Sequence, residues 1–183
     1  DSAYRSALSV QSSLVIHPIN EFGTKEQKDK YIPGLSSGEL IGCFGLTEPD
    51  SGSDPASMTT RAKKVDGGYR LTGNKMWITN GPDADTYVIY AKTDDDGITC
   101  FIIPKNTKGL EISAISKSVG ATDTPLGQVF LNEVRIPKSA ILGDLNNGID
   151  VFQYASTWER SLVGSVYVGW LDKLVEMCLM EAR

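Results

Sequence analysis

The pattern of apolar and polar positions divides the chain into three zones. Residues 2–39 show apolar positions at helical spacing, with a break predicted at His17-Pro18 because the residue before a proline avoids the helical conformation. Residues 40–142 lose that spacing and alternate short apolar runs with turn sequences. Residues 148–183 return to helical spacing and predict one long amphipathic helix. This order, without regular alternation of strand and helix, disfavours a Rossmann-type parallel sheet.

A second helix in the first zone has its own start signal. Thr24 and Gln27 have the spacing of a capping box, in which each side chain bonds the backbone N–H of the other residue. We therefore expect a helix over about 25–32 that is stopped by Pro33 and Gly34.

The middle zone predicts eight short strands. Runs rich in β-branched and aromatic residues are separated by turn sequences such as Asp66-Gly67-Gly68 and Gly73-Asn74. The predicted strands are 40–47, 58–65, 69–73, 75–79, 86–93, 98–104, 110–114 and 127–136. So many short antiparallel strands indicate a barrel or a sandwich, and with the flanking helices they predict an α+β fold.

Composition and charge exclude several classes of function. With 40% hydrophobic and 22% charged residues in 183, the chain has the composition of a globular protein. Its 23 acidic residues against 18 Lys plus Arg argue against a nucleic-acid partner, and no apolar run approaches the ~20 residues of a membrane span. Scattered cysteines at Cys43, Cys100 and Cys178, with His17 as the single histidine, indicate neither a disulfide framework nor a metal site.

A Gly-Ser loop follows the first predicted strand. Residues 47–54 (TEPDSGSD) leave an apolar strand, and such a loop exposes backbone N–H groups and hydroxyls that suit a phosphate or the polar edge of a cofactor. The same residue types also form ordinary surface turns, and composition alone favours the turn.

A second candidate lies in the segment 75–81 (KMWITNG). Trp77 and Thr79 alternate with Met76 and Ile78, which predicts an aromatic plate and a hydroxyl on one strand face. That pair could hold a planar ring and bond its edge, but a core tryptophan beside a cross-strand threonine is the better interpretation when the segment is read alone.

The third candidate is Glu159 in the last predicted helix. It shares a face with apolar positions three, four, seven and eleven residues away, among them Ala155 and Val166. A carboxylate on an apolar stripe is costly unless it is paired, and desolvation makes it a stronger proton acceptor, which suits a general base. A structural pair with Arg160 or another cation is the alternative.

The order and spacing of these segments carry a family resemblance. Residues 43–54 (CFGLTEPDSGSD) precede 77–81 (WITNG), then 134–137 (VRIP) with 141–143 (ILG), and finally Glu159-Arg160. Taken together they resemble the acyl-CoA dehydrogenase family over essentially the whole chain. The resemblance implies the end of an N-terminal helical domain in residues 1–39, a central antiparallel β-barrel in 40–143, and the first helix of a C-terminal bundle in 144–183.

The resemblance also implies an FAD site and its residues. Phe44, Leu46 and Thr47 match positions at the flavin ring, with Thr47 at its pyrimidine edge. Gly52 and Ser53 match positions near the pyrophosphate, with Ser53 also near the acyl thioester. Trp77, Ile78 and Thr79 match positions at the other face of the ring and near its reactive nitrogen. Hydrogen bonds to the ring edge would stabilise the charge that develops when flavin accepts hydride.

The implied reaction removes an α-proton with a carboxylate and passes the β-hydride to flavin, which gives a 2,3-unsaturated thioester. Many family members place the base late in the C-terminal bundle, outside these 183 residues, and that position stays an alternative. Glu159-Arg160 matches a subset that resembles isovaleryl-CoA dehydrogenase, the long-chain enzyme and some carrier-protein-dependent enzymes, so Glu159 is the expected base and Arg160 is expected at the substrate. Residues 4–13 (YRSALSVQSS) look like glutaryl-CoA dehydrogenase, whose Arg-Ser pair contacts a distal carboxylate, so Arg5 and Ser6 are expected at the acyl group.

The same resemblance implies binding partners and leaves alternative functions open. We expect an acyl-CoA or an acyl-carrier protein as substrate, electron-transfer flavoprotein or another acceptor, and a homo-oligomer, in the cytoplasm or in the mitochondrial matrix of a eukaryote. The chain starts at Asp1 without a signal segment, so we expect a piece of a longer protein that alone is inactive and binds FAD weakly or not at all. A flavin monooxygenase or oxidase on the same scaffold, or a non-catalytic scaffold, stays open.

Overall fold

Helices occupy both ends of the chain and strands occupy the middle. The structure, a computed structural model, describes residues 2–94, 97–115 and 123–182. The helices are α1 (Ser2–Ser9), a π-helix (Val10–Ile16), α2 (His17–Phe22), α3 (Lys25–Ser37) and α4 (Gly148–Glu181), with short 3-10 turns at Pro55–Ser57 and Lys138–Ala140. The strands are β1 (Gly42–Gly45), β2 (Arg61–Val65), β3 (Gly68–Thr79), β4 (Thr86–Lys92), β5 (Ile98–Pro104), β6 (Leu110–Ala114), β7 (Leu126–Pro137) and β8 (Ile141–Leu142).

The predicted break at His17-Pro18 is a change of helix type. The helical run continues from Ser2 to Phe22, and the π-helix passes directly into α2. Pro18 lies in the first turn of α2, where a missing N–H costs least. The prediction that the chain leaves the helical conformation here is therefore wrong.

The capping box at the start of α3 is confirmed, but the predicted end of this helix is wrong. The Thr24 hydroxyl accepts the N–H of Gln27, and the Gln27 side chain accepts the N–H of Thr24 at 3.0 Å. The helix passes Pro33 and ends at Gly38, whose φ of +81° is the left-handed conformation that favours glycine. Buried Tyr31 and Leu35 flank Pro33 and hold this part of the helix against the core.

The strands form a mixed sheet rather than the predicted antiparallel barrel. They run in the order β6-β7-β3-β2-β4-β5-β8, and β1 pairs with β4 in parallel register from Gly42 opposite Thr86. Most other pairs are antiparallel, although Arg61 of β2 meets Lys92 of β4 in a parallel bridge. Within the described ranges no pairing joins β6 to β8, so the path of strands stays open.

Two apolar cores lie on opposite faces of the central strands. On β4, Tyr87 and Ile89 belong to the core on one side of the sheet, whereas Val88 and Tyr90 belong to the core under the helices. The helical core also contains Val15, Ile19, Leu35 and Val151. The N-terminal helices and the first half of α4 therefore cover one face of the sheet.

Strand β3 runs through the predicted turn at Gly73-Asn74. The separately predicted strands 69–73 and 75–79 are one strand that carries two bulges against β7, one next to Gly73 and one between Lys75 and Ile78. At Gly73, a Cβ would lie 2.3 Å from the Thr60 hydroxyl oxygen. The glycine therefore marks a close approach within the sheet rather than a hairpin.

A buried ion pair joins β3 to the loop that follows β1. The Lys75 ammonium donates to Glu48 Oε1 at 2.8 Å and to the Leu46 carbonyl at 3.0 Å, and its side chain is fully buried. Glu48 Oε2 also accepts the N–H of Thr59 at 2.6 Å, and Oε1 accepts the N–H of Thr60 at 3.0 Å. One carboxylate and one ammonium therefore fix the loop against β3 and against the start of β2.

The electrostatics of this pair favour the ionised carboxylate. Burial would raise the pKa of Glu48, but hydrogen bonds from Lys75, Thr60 and Thr59 outweigh it and lower that pKa to about 2. Burial lowers the pKa of Lys75, and its bond to Glu48 opposes that change. The charge of each partner therefore depends on the other.

The last helix changes surroundings along its length. Val151 and Ala155 near its start are buried, whereas Leu162, Tyr167 and Trp170 further along the helix are exposed. Consecutive apolar residues at 166–168 and 170–171 occupy several faces of the helix, so the predicted single apolar stripe does not extend to the end of α4. Among the described helices, none combines the length and apolar character that crossing a membrane requires.

Removing one partner of the buried pair should destabilise the protein strongly. We expect Glu48→Gln or Lys75→Met to lower the free energy of unfolding by about 3–5 kcal/mol, because each leaves a buried group without its partner. The double variant should lose less than the sum of the single losses, by about 1–3 kcal/mol, in urea denaturation of the purified proteins. Strictly additive losses would contradict the coupling.

The lowered pKa of Glu48 also predicts an acid-sensitive fold. Because this carboxylate titrates at about 2 in the folded state and near 4.5 when unfolded, its stabilisation is complete above pH 4.5 and is lost as pH falls toward 2. Denaturation midpoints measured from pH 6 down to pH 3 should fall more steeply for the native protein than for Glu48→Gln. Parallel curves would show that this carboxylate does not contribute.

Candidate active site

Glu159 lies opposite Arg5 where α4 meets α1. Its Oε1 is 3.9 Å from Arg5 Nη1, and the two side chains are 22% and 32% exposed, respectively. Its other oxygen, Oε2, is buried and has no hydrogen-bond partner among the described residues. Glu159 therefore presents one oxygen beside a cation and one oxygen that is free to take a proton.

Aromatic contacts fix the rotation of α4 around Glu159. Trp158 stacks on His17 with ring centroids 4.7 Å apart, and Tyr154 meets Phe22 edge to face at 5.3 Å. These contacts hold one side of α4 against α2 and leave the adjacent Glu159 directed at α1. His17 therefore contributes to the packing of α4 on α2.

The first predicted flavin segment begins on β1 below α4. Phe44 is half-buried and packs on Tyr90 at 5.1 Å, with Phe152 of α4 at 6.4 Å. Leu46 is buried in the core under the helices, and Thr47 is half-buried. Phe44 therefore lies on the face of the sheet that α4 covers.

Gly52 and Ser53 are exposed on the loop after Thr47. A tight turn, in which the N–H of Glu48 donates to the Ser51 carbonyl at 2.8 Å, turns the chain here. A Cβ on Gly52 would find only the Thr47 methyl, at 3.9 Å, so the space above this glycine is open. The loop therefore offers its backbone and the Ser53 hydroxyl to the outside of the fold.

The second predicted flavin segment carries the bulge of β3. Trp77 has a φ of +62° and is 54% exposed, whereas Ile78 is buried in the core of the sheet and Thr79 is half-buried. A left-handed conformation is strained for a bulky residue, and such strain is concentrated at functional sites. The bulge therefore turns the indole outward, while Ile78 can meet a ligand only through its backbone.

Hydrogen bonds bring these segments together. The N–H of Met76 donates to the Thr47 carbonyl at 2.9 Å, so the two flavin segments are adjacent. The Asn80 amide donates to the carbonyls of Ala7 on α1 and Gly42 on β1, both at 3.3 Å. The end of β3 is therefore tied to the helix of Arg5 and to the strand of Phe44.

The remaining predicted residues lie nearby on the helices. Ser6 is half-buried beside Arg5 on α1, and Arg160 is exposed on α4 next to Glu159. Sequence reasoning missed the Glu48–Lys75 pair and the Asn80 bridge. The one signal for them is the presence of Lys75 and Asn80 inside and directly after an otherwise β-forming segment.

Two domain models of one family match the chain. The model of the acyl-CoA dehydrogenase middle domain matches residues 43–134, and the model of the acyl-CoA dehydrogenase N-terminal domain matches residues 1–39.

Curated relatives include enzymes for two kinds of thioester. The chain is 37% identical to an L-prolyl-(peptidyl-carrier protein) dehydrogenase of Serratia sp., over 91% of this chain and 44% of the relative. It is 38% identical to the mitochondrial isovaleryl-CoA dehydrogenase of Solanum tuberosum, over 92% of this chain and 42% of the relative. The chain spans less than half the length of the curated relatives it matches.

Solved structures share the fold and include flavin complexes. A structure described as PigA with FAD and proline superposes with a TM-score of 0.94 at 34% identity, over 97% of this chain and 48% of that one. A glutaryl-CoA dehydrogenase of Mycobacterium smegmatis in complex with FADH2 gives a TM-score of 0.79 at 42% identity, over 85% and 41%. The matched domains, the relatives and the shared fold together show that this chain belongs to the acyl-CoA dehydrogenase family.

Proposed function

We propose that the protein carrying this chain is an FAD-dependent acyl-thioester dehydrogenase that forms a 2,3-unsaturated thioester. The observation that carries the proposal is the free, buried Oε2 of Glu159, on a helix that packs against the strand of Phe44. A buried carboxylate oxygen without a partner is costly, so its retention favours a chemical role over a structural one.

Glu159 takes the α-proton of the acyl group in this proposal. Its Oε2 accepts the proton, and a bound flavin supplies the acceptor for the hydride that leaves the β-carbon. Loss of one proton and one hydride from adjacent carbons leaves the double bond. The Glu159 side chain is 22% exposed, so water has only limited access to this position.

The exposed groups of the two flavin segments suit a flat ring with a polar edge. Trp77 offers an exposed aromatic face, while Phe44 offers a half-buried one. We assign the ring edge to Thr47, Thr79 and the backbone of Leu46 and Ile78, because those two side chains are buried.

The exposed residues around these segments bind the polar end of FAD and the two ends of the substrate in this proposal. We assign the pyrophosphate of FAD to Gly52 and Ser53, where the loop is open. The thioester end of the substrate is assigned to Ser53 and Arg160, and the acyl end to Arg5 and Ser6. Each of these positions is at least partly accessible from outside the fold.

The thioester carrier is either coenzyme A or a carrier protein. The isovaleryl-CoA dehydrogenase favours the first and the L-prolyl-(peptidyl-carrier protein) dehydrogenase favours the second, at nearly equal identity. Electron-transfer flavoprotein as acceptor and a homo-oligomeric assembly belong to the same proposal. For a eukaryotic source the mitochondrial matrix is the proposed compartment, and otherwise the cytoplasm, in line with the mitochondrial relatives.

Replacing Glu159 should stop the half-reaction without releasing FAD. We expect Glu159→Gln to slow anaerobic flavin bleaching by about 100-fold or more, because general-base catalysis contributes about that factor. The substrates are isovaleryl-, butyryl- and glutaryl-CoA and an isovaleryl group on a carrier protein. Bleaching by one of them identifies the acyl class and its carrier.

A matched control distinguishes loss of the proposed base from loss of a negative charge elsewhere on the same helix. Asp150→Asn removes an exposed carboxylate from the first turn of the same helix and should bleach at the native rate. Native-rate bleaching by Glu159→Gln would move the base elsewhere. Oxygen consumption with peroxide or hydroxylated product would instead indicate an oxidase or a monooxygenase.

Replacing Trp77 should weaken FAD binding more than it weakens the fold. Trp77→Gly removes an exposed ring from a left-handed position that suits glycine, so we expect the free energy of unfolding of the FAD-free protein to change by no more than about 1 kcal/mol. The FAD content of the purified protein, read from its visible spectrum, should fall clearly below the native value. Glu133→Gly, at another exposed position with positive φ, should leave that content unchanged.

A further inference from the structure

Arg5 and Glu159 face each other across the junction of α1 and α4. Arg5 Nη1 lies 3.9 Å from Glu159 Oε1, while Oε2 is buried without a partner. We propose that Arg5 is a positioning residue, which holds Oε1 so that Oε2 is the atom that accepts the substrate proton. This inference rests on the proposed function. It predicts a substrate whose acyl group carries no charge at the end that faces Arg5.

The geometry separates the tasks of the two carboxylate oxygens. A distance of 3.9 Å is longer than a hydrogen bond but within reach of a strong Coulomb attraction where solvent is partly excluded. Arg5 therefore orients the carboxylate through Oε1 without occupying Oε2. A proton from the substrate would satisfy the oxygen that the fold leaves unpaired.

Independent anchors hold the two residues in place. On α1, the carbonyl of Ala7 accepts the amide of Asn80 at 3.3 Å. On α4, Trp158 stacks on His17 at 4.7 Å. Each helix is therefore held by contacts other than the Arg5–Glu159 pair. The packing of α1 and α4, and not the pair alone, brings the two side chains together.

The pairing has a consequence for substrate choice. The positive charge of Arg5 is already opposed by Glu159, so a second carboxylate on the acyl chain would bring like charges together beside Glu159. The expected acyl group is therefore uncharged at the end that faces Arg5. This differs from the distal carboxylate that the resemblance of residues 4–13 implies.

Kinetics of the flavin-loaded protein test the proposal. With isovaleryl- or butyryl-CoA, or isovaleryl-carrier protein, Arg5→Met should lower the limiting rate of anaerobic bleaching about tenfold or more, and this loss should exceed the change in the half-saturating concentration. Arg5→Lys should recover part of that rate, and Arg135→Met, at an exposed arginine on β7, should keep the native rate. Arg5→Gln serves as a second variant if Arg5→Met does not hold FAD.

Calorimetric binding supplies a readout that does not require turnover. Native protein should bind glutaryl-CoA no more tightly than butyryl-CoA, and Glu159→Gln should tighten glutaryl-CoA binding about tenfold because it frees Arg5. Adding Arg5→Met to Glu159→Gln should remove that gain.

The outcomes separate this inference from the proposed function. Two results would overturn the positioning role alone. One is that a thioester bleaches native protein and Arg5→Met at the same limiting rate. The other is that native protein binds glutaryl-CoA more tightly than butyryl-CoA and Arg5→Met removes this preference. Failure of every thioester to bleach native protein would overturn the proposed function and this inference together.

Discussion

The buried contact between Lys75 and Glu48 is the constraint around which the candidate site is arranged. An ammonium at full burial requires a counter-charge and further acceptors, and Glu48 Oε1 with the Leu46 carbonyl supplies both. The same carboxylate accepts two backbone N–H groups at the start of β2. The loop between Leu46 and Thr59 therefore cannot move independently of β3. That is why the segment of Thr47 and the bulge of Trp77 lie side by side.

Two glutamates in this chain have different surroundings, which suit Glu48 to a structural role and Glu159 to the proposed role of base. Glu48 has both oxygens engaged by a cation, by backbone N–H groups and by a hydroxyl, so it is held ionised and has no capacity left for a substrate. Glu159 has one oxygen near a cation and one oxygen without a partner. The contrast in hydrogen-bond satisfaction, rather than in burial alone, separates the two roles.

The elements that local sequence determines agree with prediction, and those that distant contacts determine do not. The capping box of Thr24 and the long α4 helix follow from neighbouring residues. Strands β4 and β5 were likewise predictable, because each is a largely apolar run.

Pro33 and Gly73 are turn formers that packing retains inside a helix and a strand. The parallel partner of β1 leaves no local signal, and a lysine inside a β-forming segment does not by itself identify Glu48, 27 positions away, as its partner. For the candidate site, the order of motifs indicated which segments matter, whereas only the fold brings Arg5 to Glu159.

The parallel pairing of β1 with β4 has a consequence for the order in which the chain can fold. The N–H of Ile41 donates to an Asp85 oxygen 44 positions later, so β1 has no neighbouring strand in sequence to nucleate on. The hairpin of β4 and β5 closes a short loop, and its loss of chain entropy is correspondingly small. Contacts of long sequence separation form slowly relative to such local ones. The strand that carries Phe44 is therefore expected to dock only after the β4–β5 hairpin exists, so this part of the candidate site depends on the earlier folding of a distant segment.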